Sequence, residues 1–274
     1  MTSTRYSRNE ALFGEEGQHN IRNTRVAIVG LGGLGSHVAQ QLVYLGVANF
    51  LLIDDDTVTD SSLNRLVGAY DSDVQAGTRK TDSAGRLIKL VAPSAHVRAL
   101  PVKVEAAEVG PTLKTVDVVF GCFDKDTPRL KLTELCARIA EPYFDLASDT
   151  GDDSAPTFGG RVVFSNGSGC LFCLGLLDQE ELARESLAPE LRQARDRSYG
   201  ISTDALEETG PAVVSVNGAV ASLAVTEFML FVTGLGTPVP VLNYYGEKRL
   251  IRRSVDLPAP NCPYCVGLWN RGLD

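Results

Sequence analysis

The run Gly30-Leu31-Gly32-Gly33-Leu34-Gly35 stands between a short apolar segment, Thr24 to Val29, and a helix-forming stretch, Ser36 to Leu45. Glycines at this spacing let a backbone turn tightly and approach a phosphate. The helix start that follows offers unpaired N–H groups and the positive end of its dipole. Asp54 lies 19 residues after Gly35, at the end of a second apolar segment, where a carboxylate can hydrogen-bond a ribose. The implied chemistry is nucleotide binding, and NAD is one nucleotide that fits. Arg65 and Lys80 follow the second segment, where cations reach a triphosphate, and Asp124 follows a further apolar segment, Val116 to Phe120. A bare carboxylate would repel a dinucleotide pyrophosphate but suits Mg²⁺ held between phosphates, so these three residues favour ATP with Mg²⁺.

Cys170-Leu171-Phe172-Cys173 and Cys262-Pro263-Tyr264-Cys265 form two Cys-x-x-Cys pairs. Two such pairs match a tetrahedral structural Zn²⁺ site, each pair gripping the ion from one turn. The 88 residues between the pairs exceed a ribbon-type finger, so the ion would tie the C-terminal segment to the body. Cys122 and Cys136 lie outside the pairs, the first at the end of an apolar strand and the second among Leu132, Leu135 and Ile139. Both read as buried small hydrophobes, because a reactive thiolate needs exposure and nearby positive charge. His19, His37 and His96 suggest no catalytic dyad, and His37 reads as a packing or surface residue.

The elements that would carry these residues alternate. Strands are expected at Thr24 to Val29, Asn49 to Ile53, His96 to Val104, Val116 to Phe120 and Pro142 to Leu146. Helices are expected at Ser36 to Leu45, Thr78 to Val91 and Thr127 to Ala140. That rhythm, with nearly continuous apolar strands, predicts an α/β fold: a Rossmann-like, doubly wound, mostly parallel sheet. Beyond residue 150, strands at Arg161 to Phe164, Val239 to Tyr245 and Lys248 to Val255 extend it with antiparallel pairing beside the zinc site. The expected organisation is a single domain over residues 1–274, with a nucleotide-binding half at 1–150 and a zinc-containing, partner-binding half at 151–274. Hydrophobic residues make up 44 % and charged residues 22 % of the 274-residue chain, which excludes a disordered or collagen-like protein. A formal net charge of −8 and no long basic run argue against nucleic-acid or anionic-membrane binding. The apolar stretch from Gly210 to Gly234 is long enough for a membrane span, but Asn217 and Glu227 interrupt it and no basic cluster flanks it, so it reads as a buried core helix. The polar start has no signal-peptide core, and six cysteines without a signal sequence point to a reducing compartment, so the expectation is a cytoplasmic protein.

In this order, the glycine loop, Asp54-Asp55-Asp56, Ser61-Ser62-Leu63-Asn64-Arg65, Lys80, Asp124 and the two cysteine pairs resemble the ThiF/MoeB/HesA adenylyltransferases. These are bacterial relatives of ubiquitin-activating enzymes, and the similarity spans nearly the whole chain. The resemblance implies use of ATP and Mg²⁺ to adenylate the C-terminal glycine carboxylate of a small ubiquitin-like or sulfur-carrier protein, releasing pyrophosphate. It places Gly30, Gly32, Gly33 and Gly35 around the nucleotide, Asp54 and Asp56 at the ribose, and Asn64, Arg65 and Lys80 on the phosphates. Asp124 matches the family's Mg²⁺-binding aspartate, although Lys125 stands where an asparagine usually follows. Arg8, within Arg5-Tyr6-Ser7-Arg8, matches an arginine that family members reach across a homodimer interface into the neighbour's ATP site. Ser62 and Leu66 replace an asparagine and a glutamine of the family pattern.

Catalysis of this step needs cations and in-line positioning rather than a base, because a carboxylate must approach a charged phosphate. Some family members next form a thioester or persulfide on a cysteine between the zinc pairs, but no cysteine occurs from Leu174 to Asn261. The expected acceptor is therefore an external thiol, either a sulfur donor or a conjugating enzyme of a bacterial ubiquitin-like pathway. An NAD-dependent oxidoreductase and a non-catalytic scaffold for a ubiquitin-fold protein are the alternatives, the latter disfavoured by the retained Arg65, Lys80 and Asp124. The insert Asp178 to Thr209 reads as a docking element, a lid or a solvated helix, and the acidic loop Asp149 to Asp153 is a candidate contact for the partner's tail.

Overall fold

The computed structural model describes residues 5–150, 157–185, 187 and 212–269. In chain order the elements are α1 (Ser7–Asn23), β1 (Arg25–Val29), α2 (Gly33–Leu45), β2 (Asn49–Ile53), α3 (Asp71–Ala76), α4 (Lys80–Val91), β3 (His96–Leu100) and α5 (Val109–Leu113). Then follow β4 (Val118–Gly121), α6 (Asp126–Ile139), β5 (Tyr143–Thr150), β6 (Phe158–Ser165), α7 (Gln179–Glu185), α8 (Val214–Thr233), β7 (Val241–Tyr245) and β8 (Leu250–Arg253). A 3₁₀ turn spans Asp60–Ser62 and a π-type turn spans Pro263–Leu268.

All eight strands form one sheet in the order β3-β2-β1-β4-β5-β6-β7-β8. Pairing is parallel from β3 through β5 and antiparallel from β5 through β8. The strands are apolar on both faces because helices cover both. Val26, Ile28, Phe50, Leu52, Phe120 and Phe144 point to one face, where Ile21 of α1, Leu42 of α2, Ile88 of α4 and Phe228 of α8 meet them. Ala27, Val29, Leu51, Ile53 and Val119 point to the other, against Val109 and Leu113 of α5 and Leu132 and Cys136 of α6. The doubly wound sheet with an antiparallel extension is the architecture read from the strand rhythm.

Several boundaries differ from the sequence reading, each for a local reason. Helix α2 begins at Gly33 rather than Ser36, its first turn built from the glycine loop itself. The strand expected to continue to Val104 stops at Leu100, where Pro101 removes the next N–H. Helix α4 begins at Lys80 because Thr78 and Arg79 pair with Val58 and Thr57 in an isolated bridge. Helix α1 was not legible at all: its run breaks at Gly14 (φ 76°, ψ 170°), which interrupts the apolar period. Of the insert expected at 178–209, only 178–185 and 187 are described; the acidic residues 151–153 lie outside the described residues.

Helix α8 has the length and composition to cross a membrane, yet it packs inside the fold. Val216, Val220, Ala221, Ala224, Val225 and Phe228 are buried, and Glu227 accepts the Val239 N–H at 2.9 Å. Helices α2 and α8 run side by side in the same sense. At one end Gly33 meets Asn217; at the other, Gly46 meets Gln18 and Tyr6 while Thr233 meets Gly17, all on or beside α1. Both N-termini therefore face the end of the sheet where β1, β2 and β4 finish.

At the opposite end of the sheet Arg25 pairs with Asp117 (2.5 Å), and Glu141 lies beside them. Burial, reinforced by the Asp117 charge, pushes the Glu141 carboxyl up to about 7. A raised acid pKa means the folded state holds the proton longer than the unfolded chain. Its favourable contribution is thus complete below the unfolded value near 4.5 and is lost as pH rises through 7. Glu141→Gln should therefore raise Tm at pH 8 while leaving it nearly unchanged at pH 4. Melting curves across that range would check this, and an equal effect at both ends would contradict it.

Candidate functional site

The loop after β1 is held from three sides. Gly30 adopts φ +88° and donates its N–H to the Ile53 carbonyl at 2.9 Å, while Cys122 donates to Val29 at 2.8 Å. A Cβ at Gly30 would lie 2.8 Å from the Cys122 carbonyl oxygen, and one at Gly35 only 1.9 Å from the Gly30 oxygen. No side chain is possible at either position, which is the physical reason for those glycines. Gly32, by contrast, faces open space, and Gly33 opens α2 with its N–H groups unpaired at the loop.

Asp54 closes the loop onto β2. Its carboxylate accepts N–H groups from Leu31 at 2.6 Å and from Asp56 at 2.9 Å. Burial pushes Asp54 above the ordinary carboxylate range, although Lys80 and both amides favour its charged form. Asp54, Asp55 and Asp56 carry carboxylate oxygens within 4.8 Å of one another, and Lys80 Nζ meets Asp56 Oδ2 at 2.7 Å. Lys80 is thus ion-paired at the head of α4 rather than idle in solvent, with its side chain 15 % exposed.

Arg65 hydrogen-bonds the Ser61 carbonyl at 2.6 Å and the Asn64 side chain at 3.0 Å, and its Cδ borders the position a Gly33 side chain would take. The two departures in this segment are absorbed structurally. Ser62 is buried and exchanges hydrogen bonds with Thr59 to close the 3₁₀ turn, and Leu66 is buried in the core. Asp124 is exposed two residues beyond Cys122, at the same strand-end edge, and its carboxylate has no hydrogen bond or ion pair among the described residues. Lys125 takes the N-cap position of α6 and makes no capping bond, where an asparagine would.

The structure therefore brings the glycine loop, Asp54, Asp56, Arg65 and Lys80 together, with Asn64 bonded to Arg65 and Asp124 on the adjoining strand end. Arg8 is not brought there. It is exposed on α1, whose neighbour Asn9 bonds the Leu45 carbonyl at the far end of α2. With a rise of 1.5 Å per residue, that end is about 18 Å from Gly33.

Sequence reasoning missed the groups that hold this edge in place. Arg129 of α6 and Asp145 of β5 form an ion pair at 2.7 Å, with side chains 4 % and 0 % exposed. Asp145 also accepts the Tyr143 hydroxyl at 2.7 Å. Arg129 donates in addition to the carbonyls of Leu146 and Phe123, fixing the backbone next to Asp124. Asp145 was readable as the one charge inside the apolar run Tyr143 to Ala147, whereas Arg129 stands among Asp126, Lys131, Glu134 and Arg138 and carried no such signal. Asn217 was also missed as a site residue. It interrupts the apolar run that became α8, and its amide lies against Gly33.

The four paired cysteines converge as expected. Sγ separations are 3.6 Å for Cys170–Cys262, 3.7 Å for Cys173–Cys265 and 3.8 Å for Cys170–Cys173, and none is in a disulfide. A tetrahedral Zn²⁺ with bonds of about 2.3 Å needs sulfurs about 3.8 Å apart, so this cluster fits the ion. Burial pushes the Cys170 and Cys265 thiols up, Cys265 to about 12, so metal binding there must displace protons. Around it Phe172 meets Tyr264 edge-on at 5.2 Å, and Trp269 covers Gly167. Cys122 and Cys136 are fully buried and pushed far above the usual thiol range by burial, so neither is a nucleophile in this conformation. His37 is held against Gly218, and burial lowers its pKa, which keeps it neutral. On the antiparallel side of the sheet a cavity of about 300 Å³ opens between Phe158, Gly160, Arg161, Tyr244 and Lys248.

The model of the ThiF family matches residues 6–265. The chain is 29 % identical over 269 residues to the sulfur carrier protein ThiS adenylyltransferase of Escherichia coli, covering 96 % of this chain and 95 % of that protein. It is 35 % identical over 134 residues to the SAMP-activating enzyme E1 of Haloferax volcanii, and that match spans about half of each, 48 % of this chain and 49 % of that enzyme. Among solved structures, E. coli MccB with AMPCPP and MccA superposes with a TM-score of 0.73 at 19 % identity, over 97 % of this chain and 75 % of that one. That likeness is one of fold.

The cysteine geometry yields a direct test. The purified protein should carry one zinc per chain by elemental analysis, and Cys262→Ser should lose it and melt several degrees lower. Because protons compete for the same sulfurs, the metal should be released as pH falls. A variant that keeps both its zinc and its Tm would contradict the assignment.

Proposed function

The chain belongs to the ThiF family, and from that premise we propose that it adenylates the C-terminal glycine carboxylate of a small ubiquitin-like or sulfur-carrier protein. The observation that carries the reading is the convergence at one sheet edge of the glycine-loop N–H groups, Arg65, Lys80 and an exposed Asp124 that has no partner among the described residues. No exposed thiol or histidine base stands among these groups. Such a site serves a reaction whose nucleophile is already ionised and whose obstacle is charge repulsion.

In that reaction a carboxylate oxygen of the carrier attacks the α-phosphorus of ATP. The new O–P bond forms as the bridging α–β P–O bond breaks, and pyrophosphate leaves with the bonding electrons. The glycine loop and the start of α2 hold phosphate oxygens through backbone N–H groups. Asp54 and Asp56 orient the ribose, and Lys80 exchanges Asp56 for a phosphate oxygen. Arg65, braced by Asn64, takes a second. Asp124 would hold Mg²⁺, which supplies charge neutralisation across the phosphates when bound. Arg8, remote from its own loop, serves the site of a second copy in a homodimer. The cavity beside Phe158 and Tyr244 is where the body of the carrier docks, in the half that also carries the Zn²⁺ cluster.

All six cysteines are described; four form the metal cluster and two are buried, so the adenylate passes to an external thiol. That thiol belongs to a sulfur donor or, in a conjugation pathway, to a conjugating enzyme. We place the reaction in the cytoplasm.

Asp124→Ala should lower ATP–pyrophosphate exchange by about 10³-fold with the fold intact by circular dichroism. Retained exchange would overturn the role of Asp124. ATP with Mg²⁺, and not NAD, should raise the wild-type Tm. Mixing Asp124→Ala with Arg8→Ala protein should restore about a quarter of wild-type exchange, since half the dimers are mixed and each holds one intact site. No recovery on mixing would rule out the shared site.

A further inference from the structure

At the end of the sheet opposite the glycine loop lies a cavity of about 260 Å³. Arg25, Leu51, His96, Arg98, Thr115 and Val116 border it. Strand register explains which side chains meet there. Val97 of β3 packs into the core shared by α1, α2, α4 and α8, so its neighbours His96 and Arg98 stand on the other face. Arg98 pairs with Leu51 of β2, whose side chain belongs to the core beneath α5 and α6. Helix α5 has only five residues and is about 7.5 Å long. A five-residue strand spans about 16 Å. One short helix cannot cover that length, and the cavity lies at the strand starts left open, walled by Thr115 and Val116 of the connection to β4.

The floor of this cavity is apolar and its rim is cationic. Leu51 and Val116 are each 4 % exposed. Arg25 is already matched, its guanidinium forked onto Asp117 with Glu141 beside them. Arg98 is not matched. It is exposed on the edge strand and makes no side-chain hydrogen bond or ion pair among the described residues. His96, two positions away on the same face, is likewise without a side-chain partner among them. In a chain with a formal net charge of −8, a guanidinium and an imidazole left unmatched beside an apolar hollow select an anion with an apolar body. We propose that this cavity is a second ligand site, for a small carboxylic acid bearing one aromatic or branched aliphatic group. Arg98 donates to the carboxylate with His96 beside it, and the apolar group lies on Leu51 and Val116. The volume falls below the roughly 300–1,000 Å³ of pockets for drug-sized ligands, which limits that group to about one ring. Strands β1 and β2 separate the cavity from the glycine loop and Asp54 by about 16 Å. The site is therefore distinct from the nucleotide corner and independent of the adenylation reading.

Sodium benzoate tests this on the full chain, read by the imidazole Cε1–H resonances in NMR. The chain has three histidines, so the His96 signal is assigned by its loss in His96→Gln. At constant ionic strength benzoate should shift the His96 signal saturably and leave that of His37, beside the start of α8, in place. Benzamide lacks the charge and acetate lacks the ring, and each should bind at least about fivefold more weakly. Arg98→Gln should weaken benzoate about tenfold through loss of one charge-assisted contact. Thr115→Trp fills the cavity from its exposed wall and should abolish the shift. Both variants should keep the wild-type Tm, and saturating ATP with Mg²⁺ should not displace benzoate. The absence of a saturable His96 shift overturns the proposal. So does acetate or inorganic phosphate binding as tightly as benzoate, which would leave only a cationic surface. Benzamide matching benzoate, an Arg98→Gln affinity equal to wild type, or displacement of benzoate by ATP would overturn it as well.

Discussion

Where the backbone of Gly30 passes the Cys122 carbonyl, and Gly35 passes the Gly30 carbonyl, there is no room for a side-chain carbon. That contact sets the distance between the ends of β1 and β4 and the first turn of α2. Once it is made, the loop N–H groups have a fixed direction, and the Leu31 amide is left for the Asp54 carboxylate on β2. Three strand ends and one helix start thus share a single corner. Arg65 and Lys80 reach that corner from the segment that follows β2, where Lys80 is tied through Asp56. The anion-binding capacity of the site is a property of backbone packing first and of its charged side chains second.

The opposite wall of the corner depends on a buried charge pair. Arg129 and Asp145 have been removed from water, a cost offset by their mutual contact and by hydrogen bonds to Tyr143 and two backbone carbonyls, with Arg129 Nε left to the Asp126 carboxylate at 3.7 Å. One of those carbonyls belongs to Phe123, so the pair fixes the approach of the chain to Asp124. Helix α6, which carries Arg129, is also the helix on which the Pro263–Leu268 turn of the cysteine cluster rests. The cysteine cluster and the strand-end carboxylate are therefore supported by the same helix, although they are far apart in the sequence.

Much of this was legible in the residues. The alternation of apolar runs gave the parallel sheet, because strands covered on both faces carry no polar period to confuse the reading. The duplicated Cys-x-x-Cys pairs announced the cluster, since metal geometry restricts sequence spacing tightly. What escaped were features whose cause lies in tertiary packing. Helix α1 breaks at Gly14 and shows no continuous apolar stripe. Asp145 sits alone in an apolar run and Arg129 is one of several charges on its helix, so their pairing makes sense only once β5 and α6 are adjacent. Asn217 served in the sequence only as an argument against a membrane span, because its neighbour Gly33 is 184 positions away. Arg8 could be matched to a motif, but its distance from its own glycine loop follows only from where α1 packs.

The cysteine cluster also imposes an order of assembly during synthesis. Cys170 and Cys262 are separated by 92 positions, and the second pair follows every strand of the sheet. The first pair emerges from the ribosome long before its partners and spends that interval as an incomplete, two-sulfur ligand set. Closing a loop of this length is entropically slow unless the intervening chain has already folded. A sheet that forms first brings residues 262–265 to Cys170 and Cys173 and removes most of that closure cost. Capture of a metal by the four thiols would then be a late, sealing event rather than a nucleus, reached with the core already built.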